Sequence, residues 1–244
     1  MRFRGSNPVY TRMNEFDLDY SDQVTYTGVT VKSFLLLTIV AVFAMFSGRM
    51  ILETGTITGG GIGFLIAAPI IGMISVFVAL RNPRLSMIFS IIYAIAEGTF
   101  LGVVSALYAV TQGNDVVITA VFGTFGVMFG MLFLFNTGII RVGNRFKKFL
   151  FSALIGIIIA SLFMFIGSIF GLLDTSGGFA LYTGISVLSA IIASLYLIAD
   201  FDDIKRMVES GAPKEYEWTL SLGLIVTLVW LYIELLRLIA IFKD

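Results

Sequence analysis

The chain contains no cysteine and no histidine. The first absence excludes disulfides, cysteine-ligated zinc and a thiol nucleophile. The second removes the commonest general base. Charge is also scarce: 13% of the 244 residues are charged, against about 25% in a soluble domain. Sixteen basic and sixteen acidic side chains cancel, so no bulk field points to nucleic acid as a partner. Hydrophobic residues make up 58% of the chain. That balance implies an integral membrane protein whose surroundings are the lipid bilayer.

Residues 1–29 mix acids and bases without an apolar centre, so they read as a polar cytoplasmic segment and not as a signal peptide. The membrane domain is expected over 30–244. A span needs roughly 20 apolar residues. Seven runs qualify, at about 30–48, 60–80, 86–109, 116–140, 149–173, 179–200 and 219–241, the first being the shortest. The runs are continuous and lack the alternation of a barrel, so the expected fold is all-α with seven transmembrane helices. "TGGGIG" at 58–63 is read as a flexible turn, because no Lys-Ser/Thr follows it. "DFDDIKRMVESGAPKEYEW" is read as the long connection between the last two spans.

The basic residues orient this scheme. Thirteen of the sixteen fall on one side: Arg2, Arg4, Arg12 and Lys32 near the start, Arg81 and Arg84, then Arg141, Arg145, Lys147 and Lys148, and finally Lys205, Arg206 and Lys214. Arg49, Arg237 and Lys243 fall on the other. The expected arrangement has a cytoplasmic N-terminus and an outside C-terminus, in a cell membrane, the bacterial inner membrane being the natural candidate.

Four acids in or beside the apolar runs are candidates for sensing protons or ions: Glu97, Asp200, Glu217 and Glu234. Glu97 lies near the middle of the third run, where a charge costs about 2.5–3.5 kcal/mol or more, or the group takes up a proton. Ser86, Ser90 and Tyr93 share its helical face, so it should point into the bundle. Glu234 and Arg237 are three residues apart and can form a structural ion pair, with Arg237 reaching towards the outer surface. Asp200 ends the sixth run, and Ser186, Ser189 and Ala193 form a small, polar stripe leading to it. Asp202 and Asp203 turn away from that direction and read as solvated partners of Lys205 and Arg206. Glu215 and Glu217 begin the last span at a depth similar to Asp200. Gly98 with Gly102, and Gly126 with Gly130, have the small-xxx-small spacing of helix packing.

Several long motifs carry a resemblance. "DFDDIKRMVESGAPKEYEW" with "LGLIVTLVWLYIELLRL", "RGSNPVY", "NPRLSMIFSIIYAIAEGTFLGVVS" and "NTGIIRVGNRFKKFL" cover nearly the whole chain. Together they resemble the Bax inhibitor-1/YccA family, in an uncharacterised bacterial branch. The resemblance implies a bundle of six helices around a central last one. It also implies a calcium leak controlled by pH, or a regulatory partnership with another membrane protein such as a protease. In the calcium-leak members an aspartate ending the sixth helix works with one inside the seventh. Asp200 matches the first; the second falls near Thr227, where this chain has no acid.

Three functions compete on these grounds. A proton-sensitive cation pathway would use close carboxylates that share a proton or expose oxygens to a hard cation. A non-transporting scaffold would use its packing faces and basic loops. An intramembrane hydrolase is disfavoured, since zinc hydrolysis needs the missing histidines and neither a lysine nor a second aspartate is expected inside the membrane. The chain is therefore expected not to be an enzyme and to have no resident cofactor, with Ca2+ bound at most transiently.

Overall fold

A computed structural model of the chain describes residues 23–54, 59–140, 142–171 and 175–243. It holds seven α-helices: α1 Tyr26–Thr54, α2 Gly59–Arg81, α3 Ser86–Gln112, α4 Asn114–Asn136, α5 Asn144–Ile169, α6 Thr175–Glu209 and α7 Tyr216–Lys243, with a short 3-10 turn at Pro83–Leu85. Six are long and apolar enough to cross a membrane by length and composition, and α2 carries a shorter apolar stretch over Leu65–Arg81. In hydrocarbon every backbone polar group must be satisfied within the segment, which the helix achieves. The protein is an all-α polytopic membrane bundle. Large side chains such as Phe34, Phe122 and Phe163 point outward and are more than two-thirds exposed, as suits a surface solvated by lipid tails.

The last helix is the axis of the bundle. It packs against α1, α2, α3, α4 and α6. Leu222, Ile225, Leu228 and Leu231 of α7 form the main core with Leu36 of α1, Leu101 of α3 and Leu197 of α6. Among the described residues α5 stands outermost: its backbone packs only on α6. It reaches the central helix through Trp230, which joins Leu150, Ile157 and Ile192.

Several boundaries differ from those expected. α1 begins at Tyr26, inside the segment read as polar, and at 29 residues it is among the longer helices rather than the shortest. The rest of that segment, up to residue 22, lies outside the described residues, as do Arg141 and the start of the "TGGGIG" stretch. From Gly59 that stretch is already helical and opens α2, instead of forming a turn. α6 does not stop at Asp200 but runs on to Glu209. Its 35 residues make a rod of about 52 Å, well beyond a hydrocarbon core of roughly 30 Å. Nothing in the acidic cluster breaks a helix, and the pairs Asp202–Arg206 and Lys205–Glu209 stitch successive turns. The stop comes at Gly211, with φ 64°. Gly211 N–H donates to the Val208 carbonyl at 3.1 Å and Ala212 N–H to the Met207 carbonyl at 3.1 Å, the pattern of a left-handed glycine cap.

The connections sort into two ends. Val24 N–H donates to the Ala212 carbonyl at 2.8 Å, which joins the segment before α1 to the α6–α7 connection. Arg84 pairs with Glu215, and Arg206 donates to the Val142 carbonyl, so the α2–α3 and α4–α5 connections lie at this same end. At the opposite end Lys243 bridges to Asp115 at the start of α4.

Candidate functional site

Asp200 sits on α6 where it faces the central helix. One of its carboxylate oxygens, Oδ2, is fully enclosed and meets no hydrogen-bond partner among the described residues. Across the seam the Thr227 hydroxyl of α7 is near enough to act on the Asp200 carboxyl; it donates to the Gly223 carbonyl at 3.3 Å. Lys147 and Asp203 are close enough to act on Asp200 electrostatically. The residue opposite Asp200 is thus the hydroxyl at the position where the resemblance called for a second acid.

The serine stripe behind Asp200 serves a different group. Ser189 donates to Glu234 Oε1 at 2.8 Å, and Trp230 Nε1 donates to Ser189 Oγ at 3.1 Å. Arg237 donates to Glu234 Oε2 at 2.9 Å and to Ser186 Oγ at 3.4 Å, and its guanidinium lies over the Tyr182 ring. Glu234 is buried, and the Arg237 side chain is 28% exposed. Ser186 and Ser189 therefore do not lead to Asp200; they fasten α6 to an ion pair on α7. Glu234 stands seven residues beyond Thr227, about 10 Å along the axis. Every oxygen it offers is already engaged.

Glu217 does not approach Asp200 either. It is almost wholly buried in the first turn of α7. It accepts the Thr25 N–H at 2.9 Å and the Thr25 hydroxyl at 3.0 Å, and it pairs with Lys32. A carboxylate in the first turn complements the helix dipole, and here it also ties the start of α1 to the start of α7. Gly28 must lack a side chain for this, because a Cβ there would collide with the Glu217 carboxyl. Glu215 is half exposed and meets Arg84 at 3.8 Å.

Glu97 is buried in mid-span, on one face with the buried Ser86, Ser90 and Tyr93. It points towards α2: a Cβ added at Gly72 would collide with Glu97 Oε1. Among the described residues no ion pair includes it. The two glycine pairs behave differently. A Cβ at Gly98 would lie 2.6 Å from the Val40 carbonyl oxygen, and one at Gly102 would collide with the Ala44 carbonyl and the Ser47 hydroxyl, so α1 and α3 meet here through bare backbone. Gly126 and Gly130 are exposed, and an added Cβ would meet nothing within 4 Å. Among the described residues they pack no other helix. α4 instead docks on α7 through Val116 and Ala120, which cluster with Leu236 and Ala240.

The acids after Asp200 are also placed differently from expectation. Asp202 is not solvated: its side chain is 13% exposed and accepts from Lys147 at 2.9 Å and from Arg206 at 2.6 Å. Asp203 is half exposed and pairs with Lys147. Lys147, near the start of α5, was not singled out in the sequence; its position among Arg145, Lys147 and Lys148 gave only a general basic loop.

A central last helix, with Asp200 at its seam with the sixth, is the arrangement that the resemblance implied. The family model for Bax inhibitor 1 like proteins matches residues 7–244. The chain belongs to the Bax inhibitor 1 like family. No curated protein matches it. In this Bax inhibitor 1 like protein Asp200 of α6 stands near Thr227 of α7.

Proposed function

We propose that this protein is a proton-controlled cation leak pathway, with Asp200 as its gate and calcium as the cation that the family resemblance implies. The enclosed, unpartnered Oδ2 of Asp200 carries the reading. A neutral carboxyl can stay seated against Thr227 and keep the α6–α7 seam closed. An ionised one is an uncompensated buried charge, which is costly. It is drawn towards Lys147 and water, which loosens the seam and offers a hard oxygen to a passing cation. One acid and one hydroxyl thus replace a pair of acids. In this proposal calcium is cargo that passes the seam, bound at most transiently. The proposal contains no catalytic step. It places the basic end of the bundle in the cytoplasm, in line with the positive-inside rule.

The test is calcium flux into proteoliposomes across a pH series. The parent should conduct more as pH rises, Asp200→Asn should lose the pH dependence, and Asp202→Asn should keep it. Equal effects of the two substitutions would reduce the cluster to a surface charge. Absence of flux at every pH, with reconstitution verified, would favour a second reading, a non-transporting scaffold. One observation supports that alternative: Gly126 and Gly130 leave a bare, exposed stretch of α4, which a helix of another membrane protein could approach closely.

A further inference from the structure

A cavity of about 620 Å³ lies between α1, α3, α4 and α7, and neither Asp200 nor Thr227 lines it. Its walls are almost entirely apolar, with Ala41 and Ala44 from α1, Ala109 from α3, and Val117 and Val121 from α4. α1 and α4 flank it without packing on each other, so the space opens sideways between two spans. Three of its hydroxyls are engaged: Ser105 and Tyr232 share a hydrogen bond of 2.7 Å, and Thr124 donates to its own helix at Ala120. Water needs several free polar partners to occupy such a site, and these walls do not supply them. The space is continuous with hydrocarbon.

Its length suits one chain of a lipid. The lining runs from Leu37 to Leu52 along α1, about 22 Å at the helical rise, against roughly 15 Å for half of a hydrocarbon core. The mouth lies at the end of the bundle that is poor in basic residues, and two of the three cations of that end are found there. Arg49 lines the cavity, and Lys243 reaches the Gly113–Asp115 turn beside Asn114, another lining residue. Each cation is matched by an acid: Arg49 meets Glu53 at 2.6 Å and Lys243 meets Asp115 at 2.7 Å. The rim is thus charged but neutral overall. That complements a headgroup carrying one phosphate and one ammonium.

We propose that this cavity binds a single zwitterionic glycerophospholipid from the bilayer. One acyl chain fills the space between α1 and α4, the phosphate meets Arg49 and Lys243, and the ammonium meets Glu53 and Asp115.

Native mass spectrometry of the full chain, purified in mild detergent and titrated with defined lipids, reads this directly. The parent should saturate at one phosphatidylethanolamine or phosphatidylcholine, and should hold phosphatidylglycerol and free palmitate more weakly. Ala41→Trp and Ala109→Trp, which fill the space, should each reduce the bound fraction about ten-fold or more. Ile158→Trp, on the exposed face of α5, should leave it unchanged. Should the filled variants fail to fold, the parent alone decides: a phosphatidylcholine with a diazirine in its acyl chain should label α1, α3 and α4 residues of the cavity ahead of other lipid-facing ones. Non-saturating adducts, equal retention by the filled variants, labelling spread over all outer faces, or equal binding of the anionic lipid would each overturn the proposal.

Discussion

Glu234 and Glu217 are both buried carboxylates of the central helix, and each has become structural by acquiring a cation. Removing one partner of a buried pair costs about 3–5 kcal/mol. Arg237 is 28% exposed and recovers part of its hydration, so Glu234→Ala should cost nearer 2 kcal/mol. Ser189→Ala, which removes one hydrogen bond to Glu234, should cost about 1 kcal/mol. Thermal unfolding in detergent measures both, and a larger loss from the serine would contradict the ion-pair account. Glu97 differs because no ion pair of the described residues includes it. Glu97→Gln keeps its shape and removes a charge that is costly to bury, so its melting temperature should stay close to the parent's. A clear loss would mean that the carboxylate has a cationic partner in the folded protein. The burial of Glu97 was legible in the sequence, because its serine and tyrosine neighbours recur on one face of a single helix. The partners of Glu217 were not legible. Thr25 and Lys32 lie about 190 residues away, and no pattern within one helix encodes a contact between two.

At the scale of the helix, the glycine pairs show how far spacing can be read. Gly98 with Gly102 and Gly126 with Gly130 have identical spacing, yet only the first pair faces another backbone. Spacing specifies that one face is bare; which neighbour covers it depends on how the bundle closes. Gly102→Leu must displace the α1 backbone, and overpacking of that kind costs about 1–3 kcal/mol. Gly126→Leu enters open space and should change stability by no more than about 0.5 kcal/mol. Comparable losses from both, read by thermal unfolding, would mean that α4 packs on something in the folded chain at Gly126. The acidic end of α6 departs from expectation for a related reason. Clustered charge predicts a connection, but charge ends a membrane span without ending a helix. Only Gly211 supplies the backbone conformation that does so. The extension holds Asp202 under Lys147 and Arg206, which fastens α5 to the bundle where its backbone touches only α6.

For the whole molecule, the folded chain gathers at one end the connections that the basic residues place on one side. The segment before α1 and the α2–α3, α4–α5 and α6–α7 connections gather at one end through Val24–Ala212, Arg84–Glu215 and Arg206–Val142. Lys32, Lys147, Lys205, Arg206 and Lys214 belong to that end. Arg49 and Lys243 mark the other, where Lys243 closes the C-terminus onto the start of α4. Seven helices with an axial last one leave the start of α1 and the end of α7 at opposite ends of the bundle. Charge bias decides which side is cytoplasmic, because basic loops resist translocation. The basic end should therefore face the cytoplasm and Lys243 the outside. A reporter that works only in the cytoplasm should be inactive when fused after Asp244 and active when inserted in the α6–α7 connection beside Lys214. A second reporter that works only outside should give the reverse pattern. Activity of the cytoplasmic reporter at the C-terminus would invert the molecule. Asp200 would then lie at the outer surface, and any proton control would answer to the pH outside the cell.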